Sequence, residues 1–398
     1  MKIALNIEMI GKRGGAEKYA GSLARYLAAA GHEVHVVARQ VDPGELPPEV
    51  RVHRIRPARV PGLGWLRAYR FAAASERVLR GLQVDCILGF SKAWRQHAYL
   101  SVGGPHRAAL DHGSQRFRSR WLRAVWRLGK LLSLKQWSFR LIDRKAFHSG
   151  RMPHVIAVSR MSAEHFRQYH GVPADRLSVV YNGLDDGNPL DDPAAAREAF
   201  RRELGLADDD VAVLFVARNY ALKGLAPLLE AFAPVAASQP RAKLVVCGND
   251  RSASYRRHAR RLGIEDRVRF LGFLEDVRGC FAGCDLFAFP SFYDPCSLVV
   301  LEAMAAGLPV IATRQNGAGE LLTEGADGFV LESPWAVEQM TDRIGRLVRD
   351  DELRRRMGRE AAVHVQAFTL GARMQELLAI VERISSKAPP SRATRSAA

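Results

Sequence analysis

The sequence predicts an α/β protein with two doubly wound parallel-sheet domains that face each other across a cleft. The chain has 398 residues, more than one hydrophobic core usually serves. Short apolar runs alternate with longer helical patterns, which is typical of parallel strands joined by crossover helices. This alternation stops at the turn-rich segment 182–189 and then starts again, so the chain contains two such halves.

The first half begins with a strand at its N-terminus. Near-continuous apolar runs predict buried strands at 3–7, 34–38, 84–89, 154–159 and 177–181, and alternation predicts another at 50–55. Apolar residues at helical spacing predict helices at 16–30, 65–82 and 162–170, the first of which ends at the C-cap candidate Gly31. Residues 107–145 break the alternation.

The second half repeats the pattern. Strands are predicted at 211–217, 243–247, 267–271, 285–290 and 309–312. Helices are predicted at 225–238, 254–262, 297–306, 336–349, 351–368 and 371–385. We therefore expect domains over 1–182 and 183–370, a C-terminal helix over 371–385 that returns to the first domain, and a polar, disordered tail over 386–398.

The composition excludes several protein classes. Hydrophobic residues make up 47% and charged residues 25%, which is a globular composition. The five cysteines are scattered, and we expect them to pack as reduced thiols in the core of a cytoplasmic protein. Asn6 and Glu8 interrupt the apolar run that a signal peptide needs. No apolar run approaches the ~18 residues of a membrane span.

The charge is strongly positive and concentrated in one region. The net charge is +17, which favours anionic partners. Residues 107–145 hold eleven Lys or Arg against two Asp, interleaved with Trp121, Trp126 and Trp137. This pattern suits an anionic membrane surface, with the contact candidates Arg116, Arg120, Trp121, Arg123, Trp126, Arg127 and Lys130. The alternative is a core role for the tryptophans. Nucleic acid is not expected, because no nucleic-acid motif accompanies the stretch.

Two segments after predicted strands can meet an anion. Residues 11–17 combine a glycine pair, Gly14 and Gly15, with the start of a helix, so backbone N–H groups can approach a phosphate. The alternative is a plain tight turn. Arg218 and Lys223 follow the first strand of the second half, where two fixed cations can neutralise a departing diphosphate. The alternative is a pair of solvated loop cations.

Two further segments of the second half carry acids and small residues. Asp294 precedes a predicted helix, and Glu302 lies inside it among apolar residues. Because an unpaired buried carboxylate is costly, Glu302 is a candidate functional acid. Ser297 and Leu298 fall in the first turn, whose N–H groups suit a phosphate. Residues 314–320 again place small residues between a strand end and an acid.

Taken together, these segments resemble the retaining family 4 glycosyltransferases, which have the GT-B fold of two Rossmann-like domains facing across a cleft. Asp294 and Glu302 are similar to the acid-x7-Glu motif of that family, and Arg218 and Lys223 to its paired cations. Residues 14–17 resemble its N-terminal glycine turn, and 182–185 its inter-domain segment. The resemblance covers 1–385. Residues 293–302 and 314–318 are similar to the UDP-glucose:heptosyl glucosyltransferases that build lipopolysaccharide core.

The resemblance implies the role of each site residue in the second domain, which would bind the nucleotide sugar. Arg218 and Lys223 would stabilise the departing diphosphate. Asp294 would hold hydroxyls of the donor sugar, although the family usually has Glu there, and Glu302 would bind the ribose hydroxyls. Backbone at Gly14, Gly15, Ser297 and Leu298 would touch phosphates, and Asn316, Gly317 and Ala318 would line the donor sugar.

The resemblance also implies the chemistry of the first domain and of the transfer. That domain would bind the acceptor, and His106 is the candidate for a histidine that contacts the donor sugar, with Asp111 as its rival. The expected reaction is metal-independent transfer of a hexose, favoured as glucose, from a UDP-sugar with retained configuration. The acceptor would be a lipid-linked glycan at the inner face of the cell membrane, and no cofactor is expected. A different acceptor, a nucleotide-sugar epimerase or a non-catalytic binder are the alternatives.

Overall fold

Two parallel sheets organise the chain in the computed structural model, which describes residues 1–11, 15–56, 64–90, 92–148, 150, 152–184 and 190–387. Each sheet belongs to its own structural unit. The first unit comprises residues 1–110, 119–180 and the chain from Gly371 onward, and the second comprises residues 111–118 and 181–370.

The first half of the chain contains the seven strands of the first sheet and two short strands, β2 and β4, that pair only with each other among the described residues. Its strands are β1 Lys2–Asn6, β2 Met9–Ile10, β3 Glu33–Ala38, β4 Gln40–Val41, β5 Arg51–Arg54, β6 Cys86–Gly89, β7 Ala98–Ser101, β8 His154–Ala157 and β9 Leu177–Val179. Its helices are α1 Gly15–Ala29, α2 Arg67–Gly81, α3 His106–Ser114, α4 Arg120–Leu132, α5 Leu134–Phe147 and α6 Arg160–His170.

The first sheet has seven parallel strands in the order β5-β3-β1-β6-β7-β8-β9. The central strand β1 pairs with β3 on one side and β6 on the other, and its residues Ile3, Ala4 and Leu5 are fully buried. Burial on both faces explains why these strands read as continuous apolar runs.

The second half contains the elements of the second sheet. Its strands are β10 Val211–Val216, β11 Ala242–Cys247, β12 Val268–Gly272, β13 Leu286–Phe289, β14 Val310–Thr313 and β15 Gly328–Leu331. Its helices are α7 Pro193–Leu204, α8 Tyr220–Lys223, α9 Leu225–Ser238, α10 Ala253–Arg261, α11 Arg278–Gly283, α12 Leu298–Ala305, α13 Val337–Arg349 and α14 Asp351–Val365, and α15 Leu370–Lys387 follows.

The second sheet has six parallel strands in the order β12-β11-β10-β13-β14-β15. The chain order therefore reverses direction between β10 and β13. In doubly wound sheets ligands bind beyond the carboxyl ends of the strands at this switch point. The two loops that leave β10 and β13 are thus the first place in this unit to look for a site.

These sheets confirm the predicted fold class of two parallel-sheet α/β halves. The five cysteines are free and buried, as expected for core packing. Among the described residues no helix is long and apolar enough to cross a membrane.

Several elements were absent from the sequence prediction. Residues 107–145 form α3, α4 and α5, and the short strands β7 and β15 complete the two sheets. Helix α7 had recognisable signals, because Asp192 caps its N-terminus, Pro193 opens it and Gly205 ends it in the left-handed conformation. Helix α15 continues to Lys387, and the rest of the predicted tail lies outside the described residues.

Candidate active site

The loop after β10 is held tightly against the loop after β13. Asn219 accepts a hydrogen bond from the Leu222 amide and so caps the single turn α8. The carbonyl oxygen of Leu222 in turn accepts from the Phe292 amide at 2.9 Å. Gly224 ends the turn with φ +84°, and any Cβ there would overlap the Pro290 carbonyl oxygen. Only glycine allows this close approach.

This packing brings Lys223 and Asp294 together. Lys223 Nζ lies 2.6 Å from Asp294 Oδ2 and donates a second hydrogen bond to the Tyr293 carbonyl oxygen at 3.2 Å. The two side chains are only 19% and 14% exposed. An ammonium has three N–H donors. These two hydrogen bonds leave one N–H of the Lys223 ammonium for a further acceptor. We call this contact the lysine–aspartate pair.

Asn316 braces the Asp294 loop from the next strand along. Asp294 donates its amide to the Gln315 carbonyl oxygen at 2.9 Å and accepts from the Gly317 amide at 2.8 Å. The fully buried Asn316 side chain accepts from Ala318 N at 3.1 Å and from Ser297 N at 3.4 Å. Asn316 thus joins two segments that the sequence analysis singled out separately.

The first backbone N–H groups of α12, at Leu298 and the residues after it, point out of the N-terminal end of the helix. Such amides have no intrahelical acceptor, and the Ser297 side chain does not cap them. Because the Ser297 amide already donates to Asn316, Leu298 is the better candidate for a phosphate contact.

Glu302 is half-buried on α12, whereas its neighbours Val300, Leu301, Ala303 and Met304 are buried. The sequence argument that its carboxylate is buried is therefore wrong. The α12 surface that carries Glu302 is partly open, so the carboxylate can reach a ligand without the full cost of burial.

The remaining predicted site residues are divided between the two units. Arg218 is exposed at the start of the β10 loop. Gly15 is the first residue of α1 in the first unit, and Gly14 lies outside the described residues. His106 is in the first unit, at the start of α3, whereas Asp111 belongs to the second unit.

His106 is fixed by a partner that the sequence did not suggest. Its Nε2 is in hydrogen-bond contact with Gln136 Oε1 of α5, and its ring packs edge-on against Phe139. Burial, and then the positive charge of Lys92, lower the pKa of His106, so its imidazole is neutral near pH 7. With the Nε2 proton donated to Gln136, Nδ1 is the ring atom that can accept a hydrogen bond.

Tyr181 and Asn182 of the second unit also support the site, and the resemblance had marked Asn182 only as the start of the inter-domain segment 182–185. Asn182 is buried and donates to the Cys296 carbonyl oxygen at 2.7 Å, and Tyr181 donates to Glu320 at 2.8 Å. These bonds connect the segment 181–184 to the Asp294 loop and to the turn Gly317–Leu321. Asp185 lies outside the described residues.

The acidic run 208–210 directly precedes β10. Asp210, the last acid of this run, is buried and paired with Lys243. Asp210 therefore braces the start of β10 rather than facing solvent. Within the described ranges no group of His, Cys, Asp or Glu is arranged to hold a metal ion.

Helix α4 presents an uncovered apolar face in the first unit. None of its residues is buried. Its exposed apolar residues include Trp121 at 72% and Leu132 at 71%, and Leu122, Val125 and Leu128 lie on the same face. The basic residues Arg120, Arg123, Arg127 and Lys130 occupy the opposite side. Trp126 is half-buried with Lys130 5.3 Å from its ring centre, and Arg116 lies before the helix, in the second unit.

Family comparisons match both halves of the chain. The model "Glycosyltransferase Family 4" matches residues 13–187, and the model "Glycosyl transferases group 1" matches residues 196–364. Together they include almost every element described above, with the lysine–aspartate pair and α12 in the second.

Curated relatives match over shorter stretches. D-inositol 3-phosphate glycosyltransferase of Corynebacterium glutamicum is 33% identical over 56% of this chain and 56% of its own length. Lipopolysaccharide glucosyltransferase WaaG of Escherichia coli is 24% identical over 53% of this chain and 57% of its own length. The matches thus span about half the length of these relatives.

Solved structures match over nearly the whole chain. A crystal structure of WaaG superimposes with a TM-score of 0.78 and 21% identity, covering 95% of this chain and 99% of that chain. Anabaena HepE in complex with UDP and glucose has a TM-score of 0.71 and 23% identity, covering 96% and 99%. These superpositions, with TM-scores above 0.7 over nearly the whole chain, show that the GT-B fold is shared. With both halves matched by its family models, this chain belongs to the group 1, family 4 glycosyltransferases.

Proposed function

We propose that this chain is a retaining, metal-independent hexosyltransferase that moves glucose from UDP-glucose to a lipopolysaccharide core acceptor at the cytoplasmic face of the membrane. The main support for transferase activity is the lysine–aspartate pair at the switch point of the second sheet. A partly buried cation and a carboxylate, which we propose to bind the sugar, lie side by side there, and the N-terminus of α12 follows Asp294 closely in the chain.

The transfer breaks the bond between the anomeric carbon and the phosphate oxygen. In the same-face route, the acceptor hydroxyl oxygen forms the new bond to that carbon and its proton passes to the leaving phosphate oxygen. Negative charge grows on the diphosphate as the bond lengthens. Lys223, Arg218 and the amides of α12 would stabilise this charge, because preformed cations and dipoles need no reorganisation during the reaction.

The sugar would be held by residues with fixed orientations. Asp294 accepts a hydrogen bond from Lys223 and can accept another from a hexose hydroxyl, while Asn316, Gly317 and Ala318 form the adjoining turn. His106 has its Nε2 satisfied by Gln136, so its Nδ1 would accept from a sugar hydroxyl. In this role a neutral imidazole is the useful form, which agrees with the lowered pKa.

The choice of acceptor is supported by the exposed face of α4. A helix with tryptophan and leucine on one side and four cations on the other suits the surface of an anionic membrane, where a lipid-linked glycan is presented. WaaG is named as a lipopolysaccharide glucosyltransferase, which agrees with this reading. The competing acceptor is a soluble cyclitol phosphate, suggested by the name of the Corynebacterium relative.

We expect purified protein to convert UDP-glucose and deacylated lipopolysaccharide core to UDP and a core extended by one hexose. The measurement is mass spectrometry of the glycan in a panel of nucleotide sugars, each with core oligosaccharide, inositol phosphate or no acceptor. Because protein cations stabilise the leaving group, addition of EDTA should leave the rate unchanged within about twofold.

Other outcomes of this panel contradict separate parts of the proposal. Extension of inositol phosphate alone would replace the lipopolysaccharide acceptor. Conversion of the donor without any acceptor would indicate an epimerase or hydrolase, and no conversion of any donor would remove the transferase. Loss of turnover in EDTA that Mg²⁺ restores would overturn metal independence. An inverted product anomer by NMR would overturn retention.

Membrane binding is tested by vesicle flotation. We expect binding to phosphatidylcholine vesicles only when phosphatidylglycerol is added, and Arg123→Glu with Arg127→Glu should weaken it by at least about tenfold, since each basic residue near such a surface contributes about 1 kcal/mol. Trp121→Glu should have a similar effect by removing an inserted aromatic residue.

Matched controls use exposed residues of the second unit. Phe273→Glu replaces another exposed aromatic residue, and Arg359→Glu reverses another exposed cation. Neither should change flotation by more than about twofold, because surface substitutions away from a binding site have small effects. Equal binding to vesicles with and without phosphatidylglycerol would remove this part of the proposal.

A further inference from the structure

Residues 111–118, which we call the linking segment, comprise the last residues of α3 and the residues that lead to α4, and they pack within the second unit. This segment lies in the basic region 107–145, and the proposed reaction assigns it no role. Its residues His112 and Gly113 nevertheless lie against the two loops that carry the lysine–aspartate pair.

The C-terminal half of the linking segment is held by three contacts. Trp335 Nε1 donates to the Gln115 carbonyl oxygen at 2.9 Å. The Arg118 guanidinium lies 4.5 Å from the centre of the Trp335 ring and pairs with Glu230 of α9 at 2.8 Å. A hydrogen bond, a cation–π contact and an ion pair thus hold the segment in one place.

The N-terminal half of the linking segment lies directly against the loops that carry Lys223 and Asp294. Gly113 is buried, and a Cβ there would lie 3.4 Å from Leu222, the neighbour of Lys223. The His112 ring stacks on the Tyr293 ring with centroids 5.6 Å apart and planes 21° apart. Tyr293 is 2% exposed, and its carbonyl oxygen accepts one of the hydrogen bonds of Lys223.

We propose that His112 is a positioning residue whose ring, stacked on Tyr293, holds the lysine–aspartate pair in the geometry that the transfer needs. The proposal rests on the transferase function above. The path is short, because Tyr293 supplies a carbonyl oxygen to Lys223 and its next residue is Asp294. A shift of about 1 Å in such groups can cost about a hundredfold in rate.

The neutral ring is what this role requires. Burial lowers the pKa of His112, which keeps the imidazole uncharged near neutral pH. An uncharged aromatic ring stacked on tyrosine contributes packing and orientation. If His112 acts by stacking, another flat aromatic ring can replace its imidazole. If His112 transferred a proton, such a ring could not replace it.

Three substitutions test the stacking. We expect H112A to lower kcat by about tenfold to a hundredfold while the Kd for UDP changes by less than about twofold. H112F should keep kcat within about threefold of the original chain, with the same pH profile. H112L fills the volume without a flat ring, and so should lower kcat although the protein folds normally. His258→Ala removes another half-buried imidazole of the same unit and serves as the control.

A readout without activity separates this inference from the proposed function. The Asp294 amide donates to the Gln315 carbonyl oxygen, and we expect its hydrogen exchange to be faster in H112A and unchanged in H112F and His258→Ala. If the original chain transfers no sugar, the proposed function fails and exchange alone decides. Unchanged exchange in H112A, a kcat for H112A or H112L equal to that of the original chain, or an H112F as slow as H112A would overturn the positioning role.

Discussion

Replacing Lys223 by alanine is expected to lower kcat for sugar transfer by about 10²–10³-fold. The Lys223 side chain lies at the switch point of the second sheet and is only 19% exposed, and its ammonium is held by Asp294 and the Tyr293 carbonyl oxygen. The charge on the diphosphate grows only as the sugar bond breaks, so the lost interaction is stronger in the transition state than in the bound substrate. The loss should therefore appear in kcat more than in the Kd for UDP-glucose.

Lys243→Ala is the matched control for this substitution. Lys243 is 15% exposed and pairs with Asp210, which is 8% exposed, in the same sheet but at the amino end of β11. Both variants remove a partly buried lysine and leave a carboxylate without its partner, so both should lower Tm. Only Lys223→Ala should lower kcat. Equal kcat values for the two variants would show that Lys223 stabilises the fold and not the reaction.

The sequence predicted these loops because the physical signal is local. A strand buried on both faces, such as 211–216, must read as an apolar run, and a cation placed directly after it must lie at the carboxyl end of the sheet. Arg218 and Lys223 could thus be located without coordinates. The resemblance to a family then supplied their role, which spacing alone does not give.

Contacts between distant parts of the chain could not be predicted in this way. The bonds of Asn316 to Ser297 and the stack of His112 on Tyr293 depend on which loops meet at the switch point. Nothing in the sequence around His112 distinguishes it from the basic stretch that follows. Tertiary packing, and not local propensity, assigns the linking segment to the second unit.

The sequence also could not predict which side chains are exposed to solvent. The tryptophans and cations of 107–145 predicted contact with an anionic membrane surface, but the same pattern is compatible with a core role for the tryptophans. The structure excludes that alternative for Trp121 and Trp137, which are mostly exposed. Conversely, apolar neighbours predicted a buried Glu302, and the helix turns its side chain toward a partly open surface.

Glu302→Ala is expected to raise the Kd for UDP by about 10²- to 10⁴-fold while kcat at saturating donor changes little. The half-buried carboxylate on α12 would accept hydrogen bonds from both ribose hydroxyls, and each charge-assisted bond contributes about 1.5–3 kcal/mol. Calorimetric titration with UDP measures the loss. Glu360→Ala removes an exposed carboxylate from α14 and should leave the Kd within about twofold.

The ribose contact itself is identified by changing the ligand as well as the protein. UDP lacking the 2′- and 3′-hydroxyls should bind the original chain as weakly as UDP binds Glu302→Ala, because either change removes the same bonds. Combining the two changes should then cause little further loss, since effects on one interaction are not additive. Losses that simply add would place the carboxylate away from the ribose. In that case the weaker binding of Glu302→Ala would reflect a general electrostatic effect or a disturbed α12.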